Sequence, residues 1–280
     1  MKLLTLNTHS LVEENFEEKA LHFADALLRE HPDVIALQEV NQRCDAPLLT
    51  HHPDGMISCG GERPLREDLY VYWLSNILAE GGLRYFWTWL PLKRGYSCYD
   101  EGLAFLCRTP IVEVRTREIS RPRRYEDWRR RMVLMIRAEG MKGWFCNLHA
   151  GWWEDPEDPF SEQWERLNAS LTTYETVYLM GDLNNPAERR GEGYDQISSH
   201  GFFDSYCLAK TRRGGGTVGG EIDGWRERDA REERLRIDQI WCNRPCVVSS
   251  YRTVFDGEDY GVVSDHFGVM ITVEEKEEKR

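Results

Sequence analysis

Val177-Tyr178-Leu179-Met180-Gly181-Asp182-Leu183-Asn184 is an apolar run, a glycine, and then a carboxylate and an amide two places apart. The run before Gly181 is short, continuous and bounded by punctuation, the pattern of a strand buried on both faces. A carboxylate at the end of such a strand needs a partner, because an unpaired buried charge is costly. Alternate residues of a strand point to the same side, so Asp182 and Asn184 are expected to face one point. The competing reading is a tight turn, which Asp and Asn also favour.

The same arrangement recurs outward from this stretch. Leu3-Leu4-Thr5-Leu6 runs into Asn7-Thr8-His9, and Val34-Ile35-Ala36-Leu37 runs into Gln38-Glu39-Val40, which places Glu39 at a strand end. Asn147-Leu148-His149, Arg236-Ile237-Asp238 and Ser264-Asp265-His266 are further islands of the same kind. Polar groups at the ends of neighbouring strands converge in space although they are distant in sequence. Between the islands, Phe16, Ala20, Phe23, Ala24, Leu27 and Leu28 predict a helix over 14–30. Leu69, Trp73 and Ile77 predict a second over 67–80, and Phe160, Trp164, Leu167 and Leu171 a third. Strand-like runs occupy 84–90, 102–107, 111–119, 132–138, 144–148, 177–181, 237–242, 247–254 and 267–273. Hairpin-like neighbours at 102–119 and 132–148 argue for antiparallel or mixed sheets. The pattern alone gives a mixed α/β protein.

With 280 residues and 41% hydrophobic content the chain can bury a large core. It shows no linker, repeat or low-complexity block before its charged end, and the islands draw on both halves. One catalytic domain over 1–273 and a charged tail over 274–280 are expected. No signal-peptide core or bilayer-length apolar run is visible. Cys107, Cys146 and Cys207 lie in apolar stretches and read as small hydrophobes. Cys242-Asn243-Arg244-Pro245-Cys246 lacks the second ligand pair of a zinc site. A reduced, cytoplasmic protein is expected. The net charge of −12 disfavours a polyanionic partner unless a local basic stripe overcomes it. The one such segment contains Arg121, Arg123, Arg124, Arg129, Arg130 and Arg131, and reads as a solvated loop paired with Glu126 and Asp127.

In this order and from about Lys2 to about Val273, the islands resemble the endonuclease/exonuclease/phosphatase superfamily. The resemblance implies an α/β four-layer sandwich: two face-to-face mixed β-sheets with helices outside. It makes Glu39 the principal ligand of a divalent cation, with Asn7 and Asp265 close by. Oxygen ligands suit Mg2+, with Mn2+ as an alternative. By the same resemblance Asp182 orients or deprotonates the attacking water and Asn184 helps to hold it. His266 and His149 contact the phosphate from opposite sides. Asp238 is placed to accept the other ring proton of His266, which fixes its tautomer and supports its charge.

Many nucleases of the superfamily carry an acidic residue where this chain has His9, which argues against a nucleic-acid substrate. Longer motifs resemble one branch, that of bacterial maltose 6′-phosphate phosphatase. They are Leu6-Asn7-Thr8-His9-Ser10, Tyr99-Asp100-Glu101-Gly102, the run from His149 to Asp155, Asn184-Asn185-Pro186 with the run from Arg190 to Tyr194, and Gly216-Thr217-Val218 with Ile222-Asp223-Gly224-Trp225. The branch implies a metal-dependent phosphomonoesterase acting on a small phosphorylated sugar, with neither nucleic acid nor membrane as partner. Trp152, Trp153 and Trp225, with His9, are the expected sugar contacts, since aromatic faces suit the C–H faces of a pyranose. Most of the ten Trp residues belong in the core instead. A phosphodiesterase, nuclease or phospholipase-like, would keep the same catalytic residues but needs a basic groove or a membrane-facing apolar loop. A non-catalytic phosphate-binding module would lack one of Glu39, Asp182, Asn184 or His266, and all are present.

Overall fold

Strand rows that are apolar on both sides call for cover on both sides, and the computed structural model supplies it in four layers. It describes residues 1–61, 63–171, 175–219 and 234–274. The first strands are β1 (Lys2–Asn7), β2 (Val34–Arg43), β3 (Phe86–Gly95), β4 (Tyr99–Cys107), β5 (Ile111–Glu118) and β6 (Met132–Ala138). They are followed by β7 (Trp144–His149), β8 (Val177–Asp182), β9 (Phe203–Asp204), β10 (Thr211–Arg213), β11 (Asp238–Cys242), β12 (Val247–Val254) and β13 (Gly268–Glu274). The helices are α1 (Phe16–Glu30), α2 (Tyr70–Glu80), α3 (Phe160–Asn168), α4 (Gly193–Ser199) and α5 (Ser205–Leu208). One sheet runs β10-β12-β13-β1-β2-β4-β3 and the other β5-β6-β7-β8-β11-β9. Both are mixed: β1 lies parallel to β2 and antiparallel to β13, and β7 lies parallel to β8, which is antiparallel to β11.

The alternation of side chains separates three cores. Leu3, Val34, Ala36, Leu103, Phe105, Val269 and Ile271 from the first sheet meet Leu134, Ile136, Phe145, Tyr178, Met180 and Ile240 from the second. Their neighbours in sequence face outward. Leu4, Ile35, Leu37 and Leu106 pack under α1 and α2 with Phe23, Leu27, Leu74 and Trp87. Val133, Cys146, Leu148, Leu179 and Trp241 pack under α3 and α4 with Phe160, Trp164 and Ile197. A two-residue period with both phases apolar thus yields helix, sheet, sheet, helix.

The expected antiparallel pair over 132–148 is present as β6 and β7. The expected hairpin over 102–119 is not. Both edges of β4 are already taken, by β2 and β3, so the chain crosses at Arg108-Thr109-Pro110 and β5 pairs with β6 in the other sheet. Glu139 N donates to Pro110 O at 2.9 Å and Thr109 Oγ1 to Glu139 O at 2.9 Å, which anchors the crossing. Cys107 and Cys146 are buried as read, but Cys207 is exposed on the short helix α5. Glu274, assigned above to the tail, closes β13, and residues 275–280 lie outside the described part. No described helix is long and apolar enough to cross a membrane.

Candidate active site

The row of side chains between the sheets turns from apolar to polar at one end of the sandwich. Along β1 it reads Leu3, Thr5, Asn7; along β7, Phe145, Asn147, His149; along β8, Tyr178, Met180, Asp182. Along β11 it reads Cys242, Ile240, Asp238, and along β4 Phe105, Leu103, Glu101. Strand register brings the polar ends together, because Asp182 pairs with His149 on one side and with Asp238 on the other. Gly181 allows this closeness: at φ 144° a Cβ there would lie 2.0 Å from Leu148 O.

Glu39 reaches the site differently from the way its sequence reads. It lies inside β2, at a bulge where the pairing with β4 slips between Leu37 and Val40, and takes a φ of 51°. A bulge re-aims a side chain at the expense of ladder hydrogen bonds, and here the freed carbonyls find other donors. Asn147 Nδ2, from the opposite sheet, donates to Leu37 O at 2.9 Å and Ala104 O at 2.8 Å. Thr8 Oγ1 donates to Gln38 O at 2.9 Å and Ser10 Oγ to Glu39 O at 2.7 Å. Gln38 Nε2 closes the network by donating to Asn147 Oδ1 at 2.7 Å.

Around Asp182 the groups are close. Asn7 Nδ2 donates to Asp182 Oδ2 at 3.2 Å and to Glu39 Oε1 at 2.9 Å. His149 Nε2 lies 3.6 Å and His266 Nε2 3.9 Å from Asp182 Oδ2. Asn184 N donates to Asp182 Oδ1 at 2.8 Å, so the turn geometry and the convergence on one site coexist. His266 Nδ1 meets Asp238 Oδ2 at 2.9 Å. Thr217 holds that pair: its Oγ1 accepts from Asp238 N at 3.1 Å, its O accepts from Phe267 N at 2.6 Å, and Val218 bridges to His266.

Burial and neighbouring charge set the ionisation. Burial and the Asp238 carboxylate push Asp182 up to about 7. For His266 burial opposes the charge, but Asp238 and Asp182 outweigh it and hold the imidazole well above its usual range. His149 is driven the other way by burial, Arg131 and Lys93. The site therefore holds one imidazolium, one neutral imidazole, and a carboxylate poised to exchange a proton near neutrality.

Burial, Glu101 and Asp265 raise Glu39 above the carboxylate range. A carboxylate under that pressure, with an amide and a second carboxylate beside it, is a donor set that a hard divalent cation would relieve. Glu39, Asn7 and Asp265 fit such an ion. His9 stands beside them: its Nδ1 lies 2.8 Å from Glu13 Oε1 and 3.8 Å from Asp265 Oδ1, and its Nε2 is 3.0 Å from Tyr96 OH. Burial opposes its charge, but Glu13, Asp265 and Glu39 raise it to about 9.

Of these groups Glu39, His149, Asp182, Asn184 and His266 line a cavity of about 210 Å3, and Asn7, His9, Asp238 and Asp265 stand behind them. Residues 119–131 form its lip, leaving the second sheet and returning to it. Arg94 N donates to Tyr125 O at 2.8 Å and Tyr125 OH to Asp100 Oδ1 at 2.9 Å, which ties this segment to the first sheet. Trp152 lines the cavity with Trp128, their rings 5.6 Å apart. Trp153 instead packs, half-buried, on the core under α3 and α4. Trp225 lies outside the described residues.

The arginine segment is the exposed loop expected at Arg121, Arg123 and Arg124, but Arg129 and Arg130 are half-buried, Arg131 is buried, and the partners differ. Arg121 pairs with Glu162, Arg123 and Arg130 with Glu118, and Arg129 with Asp155 and Glu157, rather than with Glu126 or Asp127. Arg131 is 2% exposed and lines the cavity, as does buried Lys93, whose Nζ is 3.1 Å from Glu101 Oε1. Sequence reasoning did not name Lys93, Trp128 or Tyr96, and it gave no place in the site to Glu101, quoted in a branch motif, or to Arg131, quoted in the arginine segment. The two-residue period of 101–107 was a signal for Glu101. No such signal exists for Lys93, because a bulge between Pro91 and Lys93 breaks the phase of β3.

The sequence pattern of the endonuclease/exonuclease/phosphatase family matches residues 4–266. The chain belongs to this family. Members are phosphoesterases and generally depend on a divalent metal, and here Asp182, Asp238 and His266 form a buried group whose ligand atoms lie within 4.8 Å of one another. A family protein from Leptotrichia buccalis has a similar structure, with 27% identity and a TM-score of 0.83 over 98% of this chain and 100% of that one. The mannosyl-6-phosphatase Bt3783 of Bacteroides thetaiotaomicron shares 16% identity at a TM-score of 0.65, over 98% and 100% of the two chains. D. rerio TDP2 in complex with a single-strand DNA product shares 14% at 0.61, over 98% and 99%. The last two likenesses speak to the fold alone. No curated protein sequence matches the chain.

Proposed function

We propose that this family member is a Mg2+- or Mn2+-dependent phosphomonoesterase, acting as one catalytic unit over residues 1–273 on a small phosphorylated sugar of the maltose 6′-phosphate kind. The observation that carries this reading is the shape of the site. The catalytic side chains open into a cavity of about 210 Å3, closed on one side by residues 119–131 and walled by Trp128 and Trp152. That is below the roughly 300–1,000 Å3 of usual small-ligand pockets, so the phosphoryl group and part of one sugar ring fill it. The solved structures of similar fold include both a sugar phosphatase and a DNA-processing enzyme, so fold does not choose between them. A nucleic-acid strand needs several phosphate contacts beyond the scissile one, whereas Arg121, Arg123, Arg129 and Arg130 of the lip are paired with Glu118, Glu162, Asp155 and Glu157.

In this reading Glu39, Asn7 and Asp265 would hold a divalent cation, which when bound would supply positive charge at the phosphate. Asp182 takes the proton of the attacking water, with Asn184 beside it. His266, kept charged by Asp238, stabilises the charge that grows on the phosphoryl oxygens, and neutral His149 donates a hydrogen bond to them. The sugar rests on Trp128 and Trp152, with His9 and Tyr96 at the rim. The eight free cysteines accord with a reducing, cytoplasmic setting. Incubation with Mg2+ and a panel of hexose and disaccharide phosphates, plasmid DNA and phosphoinositides tests the reading. A sugar phosphate should be hydrolysed at least about tenfold more efficiently than any diester. Plasmid nicking at a matching rate would replace the phosphatase by a nuclease.

A further inference from the structure

Arg131 is a buried cation in the cavity wall that forms no ion pair among the described residues. The residue is 2% exposed, and the guanidinium's only hydrogen bonds among the described residues run from Nη1 to the carbonyls of Trp128 at 2.9 Å and Arg130 at 3.4 Å. Its Nε, also buried, has no partner, and it forms no ion pair among the described residues. A buried guanidinium ordinarily comes with a carboxylate, because desolvation costs several kcal/mol per ion and a fork of donors is wasted on single carbonyls. Elsewhere in this chain the rule is kept: Arg236, also buried, grips Asp204 at 2.7 and 3.2 Å.

The charge left over faces the cavity. Its lining carries three fixed cations, Lys93, Arg94 and Arg131, against three carboxylates, Glu39, Glu101 and Asp182. Lys93 is committed to Glu101. Glu39 belongs to the metal and Asp182 to the water in the reading above. Arg94 and Arg131 thus have no carboxylate of their own among the described residues; Arg94 is half-buried whereas Arg131 is buried, and its planar donors match two oxygens of one phosphate.

We propose that Arg131 binds the free oxygens of the substrate phosphate and selects a terminal, dianionic phosphate over a diester. The inference rests on the phosphomonoesterase reading and adds to it the residue that makes the choice. A monoester offers three unesterified oxygens and two charges, so a cation, the two imidazoles and Arg131 can all be engaged together. A diester has one oxygen fewer to offer and one charge fewer, and its second ester group would be pressed against a buried guanidinium.

The test compares p-nitrophenyl phosphate with its methyl ester, p-nitrophenyl methyl phosphate, which share a leaving group and differ in one charge and one free oxygen. Wild-type protein with Mg2+ should favour the monoester in kcat/KM. Arg131→Met should shrink that preference at least about tenfold, chiefly through the KM of the monoester, and weaken binding of inorganic phosphate in calorimetry by a similar factor. Arg131→Lys keeps the charge without the fork and carries the test should Arg131→Met fail to fold. Its monoester KM should rise roughly threefold or more, with the diester KM unchanged. A wild-type enzyme that favours the monoester, together with variants that keep the wild-type ratio and phosphate affinity, overturns the inference and leaves the function standing. A wild-type enzyme without preference overturns the function itself. In that case unchanged phosphate affinity in the variants overturns the Arg131 contact as well, and lost affinity upholds it.

Discussion

Replacing Asn147 by Leu should both destabilise the protein and raise its metal requirement, although Asn147 does not line the cavity. The amide spans the gap between the sheets, donating to Leu37 O and Ala104 O and accepting from Gln38 Nε2. Leu37 and Ala104 form the last regular pair of β2 and β4 before the bulge that turns Glu39 into the site. Leucine has a similar size but offers no polar atom, so three hydrogen bonds are lost at about 1 kcal/mol each and two buried carbonyls lose a donor. The expected loss is about 3–5 kcal/mol, a fall in Tm of roughly 6–20 °C at about 2–4 °C per kcal/mol. Thermal and urea melts measure it, and a Mg2+ titration of sugar-phosphate hydrolysis measures the second effect. Half-saturating Mg2+ should rise roughly tenfold as Glu39 loses its fixed aim. Cys146→Ala, on the same strand but facing the core under α3, is the control and should leave the metal requirement alone. If Asn147→Leu costs less than about 1 kcal/mol and keeps the wild-type titration, the bulge holds itself and the bridging amide is incidental.

Three further outcomes follow from the geometry. Exhaustive treatment with EDTA should abolish turnover, and Glu39→Gln should do nearly the same while raising the Tm of the metal-free protein, because Glu101 and Asp265 no longer press on a buried charge. Full activity after chelation, or a lower Tm, counts against Glu39 as ligand. Asp182→Asn should reduce kcat by about 10²-fold or more with little change in KM. Asp182 ionises at about 7, so its base form is lost as pH falls through that value, and wild-type kcat should drop about tenfold per unit below it; a flat profile to pH 5 would assign the base elsewhere. Gly181→Ala forces a Cβ to within 2.0 Å of Leu148 O and should unfold β7 from β8, seen as a Tm many degrees lower; an unchanged Tm would mean that the strands do not approach this closely.

What could be read in the sequence was whatever depends on local pattern. The apolar runs before Asn7, Asp182 and His149 are strands because both of their faces are covered, and a two-residue period with both phases apolar announces that. The period also explains why polar residues closing those runs meet: pairing in register does the rest. Strand partners were not legible by the same means. A three-residue link after Cys107 looks like a hairpin, and only the prior occupation of both edges of β4 sends the chain to the other sheet. Nor could Glu39 be placed correctly, since a bulge is a property of two strands and two layers. Its sign in the sequence is Asn147, a buried amide whose partners come from elsewhere in the chain.

Charge was the most misleading observable, for a physical reason. A total of −12 describes the outer surface, where carboxylates and arginines are solvated and mostly cancel in pairs. Specificity depends on charges that are neither solvated nor paired, and in low dielectric these act at far greater strength. Arg131 ends a run of arginines in which Arg121, Arg123, Arg129 and Arg130 all find carboxylates, and by sequence it is indistinguishable from them. Only the return of residues 119–131 to β6, where Ser120 Oγ accepts from Arg131 N at 2.7 Å, turns this one side chain inward. Under the proposal above, an acidic protein binds a single dianion while its outer surface repels a polymer of phosphates. The surface field acts over the length of a strand of nucleic acid, but a single phosphate inside the cavity would meet Arg131, a buried guanidinium with no ion pair among the described residues.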